Sequence, residues 1–241
     1  MLLLRQRTGL MGMPDAAPRQ LAFVLDPPEN FSREDFLAGP GNAAALQLVD
    51  SWPNWPARTV ALVGPEGSGK SHLAAIWANA ARGYRLASRA LDEVAVPAAL
   101  SAGALVFERT GSDDLHDVDE RAMFHLLNLA QEQGAFLLIT ARTAPAGWPI
   151  ALPDLASRLR ALPVVTLAAP DDAMLRAVLV KLFADRQLAV DDALVSFLMV
   201  RIERSFAAAR AVVAELDREA LRRQRPVTRA LAGEILGSAA P

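Results

Sequence analysis

Gly64-Pro65-Glu66-Gly67-Ser68-Gly69-Lys70-Ser71 fills every fixed position of the pattern G-x-x-x-x-G-K-[ST]. The glycines let backbone N–H groups curl around a phosphate chain. Lys70 brings a positive charge to its β/γ end, and the Ser71 hydroxyl is placed for Mg²⁺. An apolar run, Arg58–Val63, precedes the motif and reads as a buried strand. Lys70–Arg82 follows as a helix whose N-terminus faces the anion. A chance glycine-rich turn is the alternative. Against it, three of the chain's 14 glycines fall in these eight residues, and so does one of its two lysines, in a chain where the other 23 of 25 basic residues are arginine.

Outward from the motif, strands and helices alternate. Tyr84–Ser88, Ala104–Glu108, Ala135–Thr140 and Val164–Leu167 read as strands. Asn42–Trp52, Val118–Gln133 and Pro153–Leu159 read as helices. Short apolar runs without a period of two fit strands covered on both faces, which predicts an α/β fold with a parallel sheet. After Ala169-Pro170 the strands stop. Asp171–Arg186, Asp191–Arg201, Phe206–Arg223 and Thr228–Leu236 read as helices, the first two opening on Asp-Asp pairs suited to N-capping. The expected organisation is a tail over 1–28, an α/β domain over 29–169 and a small all-helical lid domain over 170–241.

Composition limits the function classes. At about 150 residues per domain, 241 residues make one large domain, or a large and a small one. The net charge of −2 argues against a strongly basic nucleic-acid glove. With no cysteine, thiol nucleophiles, zinc-thiolate sites and iron–sulfur clusters are excluded. No stretch reaches the roughly 20 apolar residues of a membrane span, and Arg5 and Arg7 interrupt any signal-peptide core. A cytoplasmic protein is expected. Met11 and Met13 offer later starts.

A Mg²⁺ site in such a protein also needs an acid at the end of a neighbouring strand. Glu108 is the candidate, with an ordinary strand-end acid as the alternative. Arg109 stands where a hydrolytic site often carries a second acid. Asp113, Asp114, Asp117 and Asp119 read as a solvated loop. His72, His116 and His125 lack metal-ligand spacing, and His72 reads as structural. Trp52 and Trp55 flank Pro53 as packing beneath the first strand.

With these residues in view, the chain resembles the AAA+ ATPases of the DnaA group, and most of all the short DnaA-related regulators of the Hda family in their alphaproteobacterial form. The resemblance spans about residues 20–236. Phe36-Leu37-Ala38-Gly39-Pro40-Gly41-Asn42 resembles the segment that packs on the adenine. Leu137-Leu138-Ile139-Thr140 is similar to the sensor-1 strand. Leu152-Pro153-Asp154-Leu155-Ala156-Ser157-Arg158-Leu159 resembles box VII, whose arginine acts across a protomer boundary. The resemblance therefore implies Arg158 as a finger in trans; without it, Arg158 is a helix-surface arginine. It also implies nucleotide contacts from Phe36, Leu37, Gly64, Pro65, Glu66, Gly67, Ser68, Gly69, Lys70, Ser71 and His72, with Mg²⁺ held by Ser71 and Glu108. Three positions depart from the pattern. Arg142 falls where sensor 1 ends in an acid, Ala207 falls at the sensor-2 arginine with Arg204 and Arg210 one turn to either side, and Glu108 is one methylene longer than the usual aspartate. These departures favour binding ADP or ATP over fast hydrolysis.

Gln20-Leu21-Ala22-Phe23-Val24-Leu25 resembles the family's sliding-clamp-binding peptide, with Gln20 for a polar notch and Leu21, Phe23 and Leu25 for an apolar groove. Self-packing or a loose tail is the alternative. The resemblance implies a regulator of chromosomal replication initiation that binds the DNA polymerase III sliding clamp and stimulates ATP hydrolysis by the DnaA initiator, and it admits a homo-oligomer. Only Gly237–Pro241 follow the last helix, so direct sequence-specific DNA binding is not expected. Two rivals stand beside this: a stand-alone ATPase of helicase-loader type, and a nucleotide-independent clamp adaptor.

Overall fold

The computed structural model describes residues 31–109 and 118–237. Five strands, β1 (Thr59–Val63), β2 (Tyr84–Ala87), β3 (Ala104–Glu108), β4 (Phe136–Ala141) and β5 (Val164–Thr166), form one sheet in the order β2-β3-β4-β1-β5. All four pairings are parallel. Helices α1 (Ala43–Asp50), α2 (Lys70–Ala81), α3 (Ala95–Leu100), α4 (Glu120–Gln133) and α5 (Pro153–Arg160) belong to this part of the chain. Helices α6 (Asp172–Asp185), α7 (Asp192–Met199), α8 (Phe206–Arg223) and α9 (Arg229–Gly237) follow it.

The strands lack an amphipathic period because their alternate residues enter two different cores. Val60, Leu62, Val106 and Leu138 pack with α1 and α2, where Trp77 is fully buried. Ala61, Val63, Phe107 and Ile139 pack with α3, α4 and α5. Both faces of a parallel sheet are thus covered, and polar residues survive only at strand ends. Trp55 stacks on Trp77 at 4.7 Å, and Trp52 meets Phe136 edge-on. A third cluster, including Leu175, Leu179, Phe183, Val213, Leu216 and Leu231, is built from the last four helices and the segments that join them.

The sequence reading contains no element over 95–100, where the structure has α3. Pro97 is its third residue, within the first turn, where a backbone N–H has no helical partner in any case. Asp119, read as one of a solvated acidic loop, caps α4 by accepting from the amides of Arg121 (2.9 Å) and Ala122 (3.1 Å). Asp113, Asp114 and Asp117 lie outside the described residues, and so do Gln20, Leu21, Phe23 and Leu25.

Candidate nucleotide-binding site

The loop Gly64–Gly69 leaves the C-terminal end of β1, which lies between β4 and β5, and feeds directly into α2. Gly69, the N-cap of α2, has φ +97°, a conformation that L side chains rarely adopt. The helical ladder opens with Leu73 N–H donating to Gly69 O at 3.0 Å. The amides of Lys70, Ser71 and His72 therefore stand ahead of the ladder, and glycine at the N-cap has no side chain to cap them. That is the arrangement of an anion cradle. The Ser68 hydroxyl is buried inside the loop with no hydrogen-bond partner.

The Lys70 ammonium lies across this loop, donating to Gly64 O (2.8 Å) and Pro65 O (2.7 Å). Burial pushes its pKa down, and the nearby guanidinium of Arg142 adds to the effect, while Glu66 opposes it. A half-buried cation whose bonds among the described residues are to carbonyl oxygens attracts an anion. These features fit a nucleotide's phosphate tail. Lys70 would meet its charge, and Ser71 would hold Mg²⁺ with the strand-end acid.

Beside the loop runs a cleft of about 790 Å³. Phe36, Leu37, Gly69 and His72 line one side; Lys181, Phe206 and Arg210 line the other. Phe36 is buried, and the His72 ring sits between Phe36 (5.3 Å) and Phe31 (5.1 Å), with Nε2 3.1 Å from Ser32 O. His72 is thus part of the cleft wall as well as of the packing. Lys181 closes one end of the cleft. Its ammonium donates to Asp35 at 2.8 Å and to Asp185 at 2.9 Å, joining the segment before α1 to α6. The helical region also reaches the loop itself: Phe206 N–H donates to Gly67 O at 3.0 Å. Gly67 has φ +69°, and a Cβ there would come within 2.4 Å of the Ser205 Cβ. Neither contact leaves a local trace in the sequence beyond Ser205 as a good N-cap for α8, where its hydroxyl accepts from Ala208 N–H at 3.0 Å.

The strand ends next to the loop carry a second pattern. Register pairs Glu108 with Thr140 on one side and with Ala87 on the other. Arg85 on β2 donates to both Glu108 carboxylate oxygens, at 2.8 and 3.0 Å. The proposed Mg²⁺ acid is therefore held by a guanidinium. Arg109, where a second acid would help hydrolysis, lies over the Trp148 ring at 4.6 Å. Arg142, just past β4, pairs with Glu66 of the loop. Of the two candidates for sensor 2, Arg210 lines the cleft with Ala207, whereas Arg204 pairs with Asp172 at 3.1 Å.

Arg158 sits elsewhere. It is exposed on α5, donates to Gln131 Oε1 at 3.0 Å and lies 5.4 Å from the Phe124 ring, both on α4. Glu120, in the first turn of α4, fixes the entry to α5 by accepting from the amides of Ala151 and Leu152, both at 2.8 Å.

No protein-family profile matches the chain. No curated protein matches it either. Solved structures do. Domain III of the Thermotoga maritima replication initiation protein DnaA superimposes with a TM-score of 0.71 at 17% identity, covering 87% of this chain and 97% of that one. The fold is that of an AAA+ P-loop NTPase. The same AAA+ architecture relates it to AMPPCP-bound DnaA from Aquifex aeolicus, with a TM-score of 0.63 at 17% identity over 81% of this chain and 69% of that one. It also relates it to the Thermotoga maritima RuvB Holliday junction branch migration motor, with a TM-score of 0.59 at 18% identity over 75% and 61%. Among the described residues, no helix is long and apolar enough to cross a membrane, and no cluster of three or more His, Asp or Glu side chains could hold a metal ion by itself.

Proposed function

We propose that this chain is a nucleotide-bound regulator of replication initiation, of the Hda type, that acts on the DnaA initiator from the sliding clamp. The observation that carries the nucleotide part is the P-loop with Lys70 inside it, opening onto the cleft beneath Phe36 and His72. In this reading the phosphates lie on the loop amides and Lys70, the base packs on the Phe36–Leu37 segment, and ADP is a resident structural ligand. Slow turnover follows from the strand ends. Arg85 neutralises Glu108, and Arg109 offers no carboxylate to orient water.

The catalytic nucleotide in this scheme belongs to the partner. Arg158 reaches outward from α5, and its contacts are with α4 rather than with the loop of its own chain. A guanidinium delivered to a partner's phosphoryl group stabilises charge developing on its oxygens and accelerates a slow P-loop site by roughly 10³–10⁵. The peptide from Gln20 to Leu25 is the proposed clamp tether, with Leu21, Phe23 and Leu25 as apolar anchors.

The test mixes ATP-loaded initiator, DNA-loaded clamp and each variant, and follows conversion of ATP to ADP. Arg158→Ala is expected to abolish stimulation while leaving thermal stability and ADP affinity near wild type. Arg158→Lys is expected to fail nearly as badly, because an ammonium lacks the planar fork that spans two oxygens. Replacing Gln20, Leu21 and Phe23 by Ala is expected to abolish clamp binding alone. Full stimulation by Arg158→Ala would overturn the finger, and unchanged retention on immobilised clamp would overturn the tether.

A further inference from the structure

The Glu66–Arg142 pair has no part in the scheme above. Its position is fixed by backbone, not by chance side-chain reach. β1 and β4 are neighbours with Val63 opposite Ala141, and Gly64 N–H donates to Ala141 O at 3.2 Å. The residue after Ala141 must therefore abut the first residues of the phosphate loop. That residue is Arg142, and its guanidinium binds the carboxylate of Glu66 in the middle of the loop. Arg142 also lies near enough to Lys70 to disfavour the ammonium's charge, so the pair stands beside the phosphate loop's own cation.

Glu66 and Arg142 contribute no net charge as a pair, yet each member would respond to a longer phosphate chain. A third phosphate adds a negative group at the Lys70 end of the chain. That group attracts Arg142 with the same charge-assisted, two-pronged geometry that a carboxylate uses. It is repelled by Glu66. The Glu66 side chain is 71% exposed, and among the described residues its ion pair is with Arg142.

We infer that Glu66 competes with a third phosphate for Arg142, which makes the pair a specificity determinant between nucleoside di- and triphosphate. This deepens the nucleotide-binding reading and rests on it. Arg142 favours the triphosphate, Glu66 holds it back, and the measured preference is the balance between the two. The two halves therefore have opposite effects, which a merely structural surface pair would not show.

The experiment measures, by calorimetry with Mg²⁺, the dissociation constants of ADP and of the non-hydrolysable triphosphate AMPPCP for full-length wild type, Glu66→Gln, Arg142→Ala and Lys70→Ala. Melting curves confirm that each variant is folded. The quantity read is the ratio of the two constants. Glu66→Gln should move it toward AMPPCP by about fivefold, the scale of one partly exposed charge pair, and Arg142→Ala should move it toward ADP by about as much. A ratio unchanged in both variants, or moved the same way by both, would overturn the inference while nucleotide binding stood. Loss of neither ligand in Lys70→Ala, or no binding to wild type, would overturn the nucleotide site itself.

Discussion

The chain's two lysines are held in opposite ways: Lys181 lines the cleft, and Lys70 follows Gly69 of its wall. Lys70 lies on backbone carbonyls, and burial and Arg142 push its pKa down. Lys181 is gripped by the carboxylates of Asp35 and Asp185, whose hydrogen bonds raise its pKa. One charge is left for a ligand; the other is spent inside the protein. In a chain that otherwise uses arginine, one lysine lies on the phosphate loop and the other lines the cleft beside it, and only Lys70 is placed to bind an anion. Lys181 acts as a clasp between the segment carrying Asp35 and Phe36 and α6, the first helix after the sheet.

The largest consequence of this difference belongs to Lys70. Lys70→Ala should weaken ADP binding by about two orders of magnitude, since charge-assisted bonds to phosphate contribute roughly 1.5–3 kcal/mol. Thermal stability without nucleotide should hardly change, because the lost partners are carbonyls. Calorimetry paired with melting curves would check both, and equal ADP affinity in variant and wild type would break the contrast.

Gly67 tests the second link, between the loop and the start of α8. Gly67→Ala puts a Cβ at positive φ and against Ser205. It should cost about 1–3 kcal/mol of strain and speed ADP release. Stopped-flow release of a fluorescent ADP gives the rate, and an unchanged rate would mean that α8 and the loop move independently.

The clasp should have the smallest effect. Lys181→Met is expected to lower stability by about 0.5–1 kcal/mol, in keeping with a partly exposed pair. Its pH dependence has a definite sign. Asp35 is held below the ordinary carboxylate range by its bonds from Lys181 and Ser32, so its contribution is present above about pH 4 and fades as pH falls through its lowered value. Lys181 is raised, so its contribution is complete below about pH 10 and fades as pH climbs through its raised value. The stability difference between Lys181→Met and wild type should thus be flat from about pH 5 to 9 and shrink in stronger acid. Denaturation at pH 7 and pH 3 measures it; a larger difference at pH 3 would contradict the clasp.

What could be read from the sequence follows the range of the forces. β3, Ala104–Glu108, and α8, Phe206–Arg223, have the bounds that apolar runs and caps dictate. The phosphate loop was legible because its chemistry needs residue types at fixed local spacing. α3 was hidden because Pro97 reads as a breaker unless its place in a first turn is known. The Asp35–Lys181 contact spans 146 positions, and Arg85–Glu108 depends on β2 lying beside β3. Arg142 could be recognised as a departure, but its meeting with Glu66 follows only from the register of β1 on β4.

The central claim, that the P-loop and its cleft hold a nucleotide, is tested most directly by the melting temperature of the wild-type protein in rising Mg²⁺–ADP. A ligand that binds only the folded state at a hundred times its dissociation constant adds about 2.7 kcal/mol, which for a chain of this size raises the melting temperature by about 5–10 °C. The account predicts a shift of that order that keeps growing with the logarithm of the ADP concentration and is absent in Lys70→Ala. No shift in wild type with millimolar ADP or ATP would contradict it.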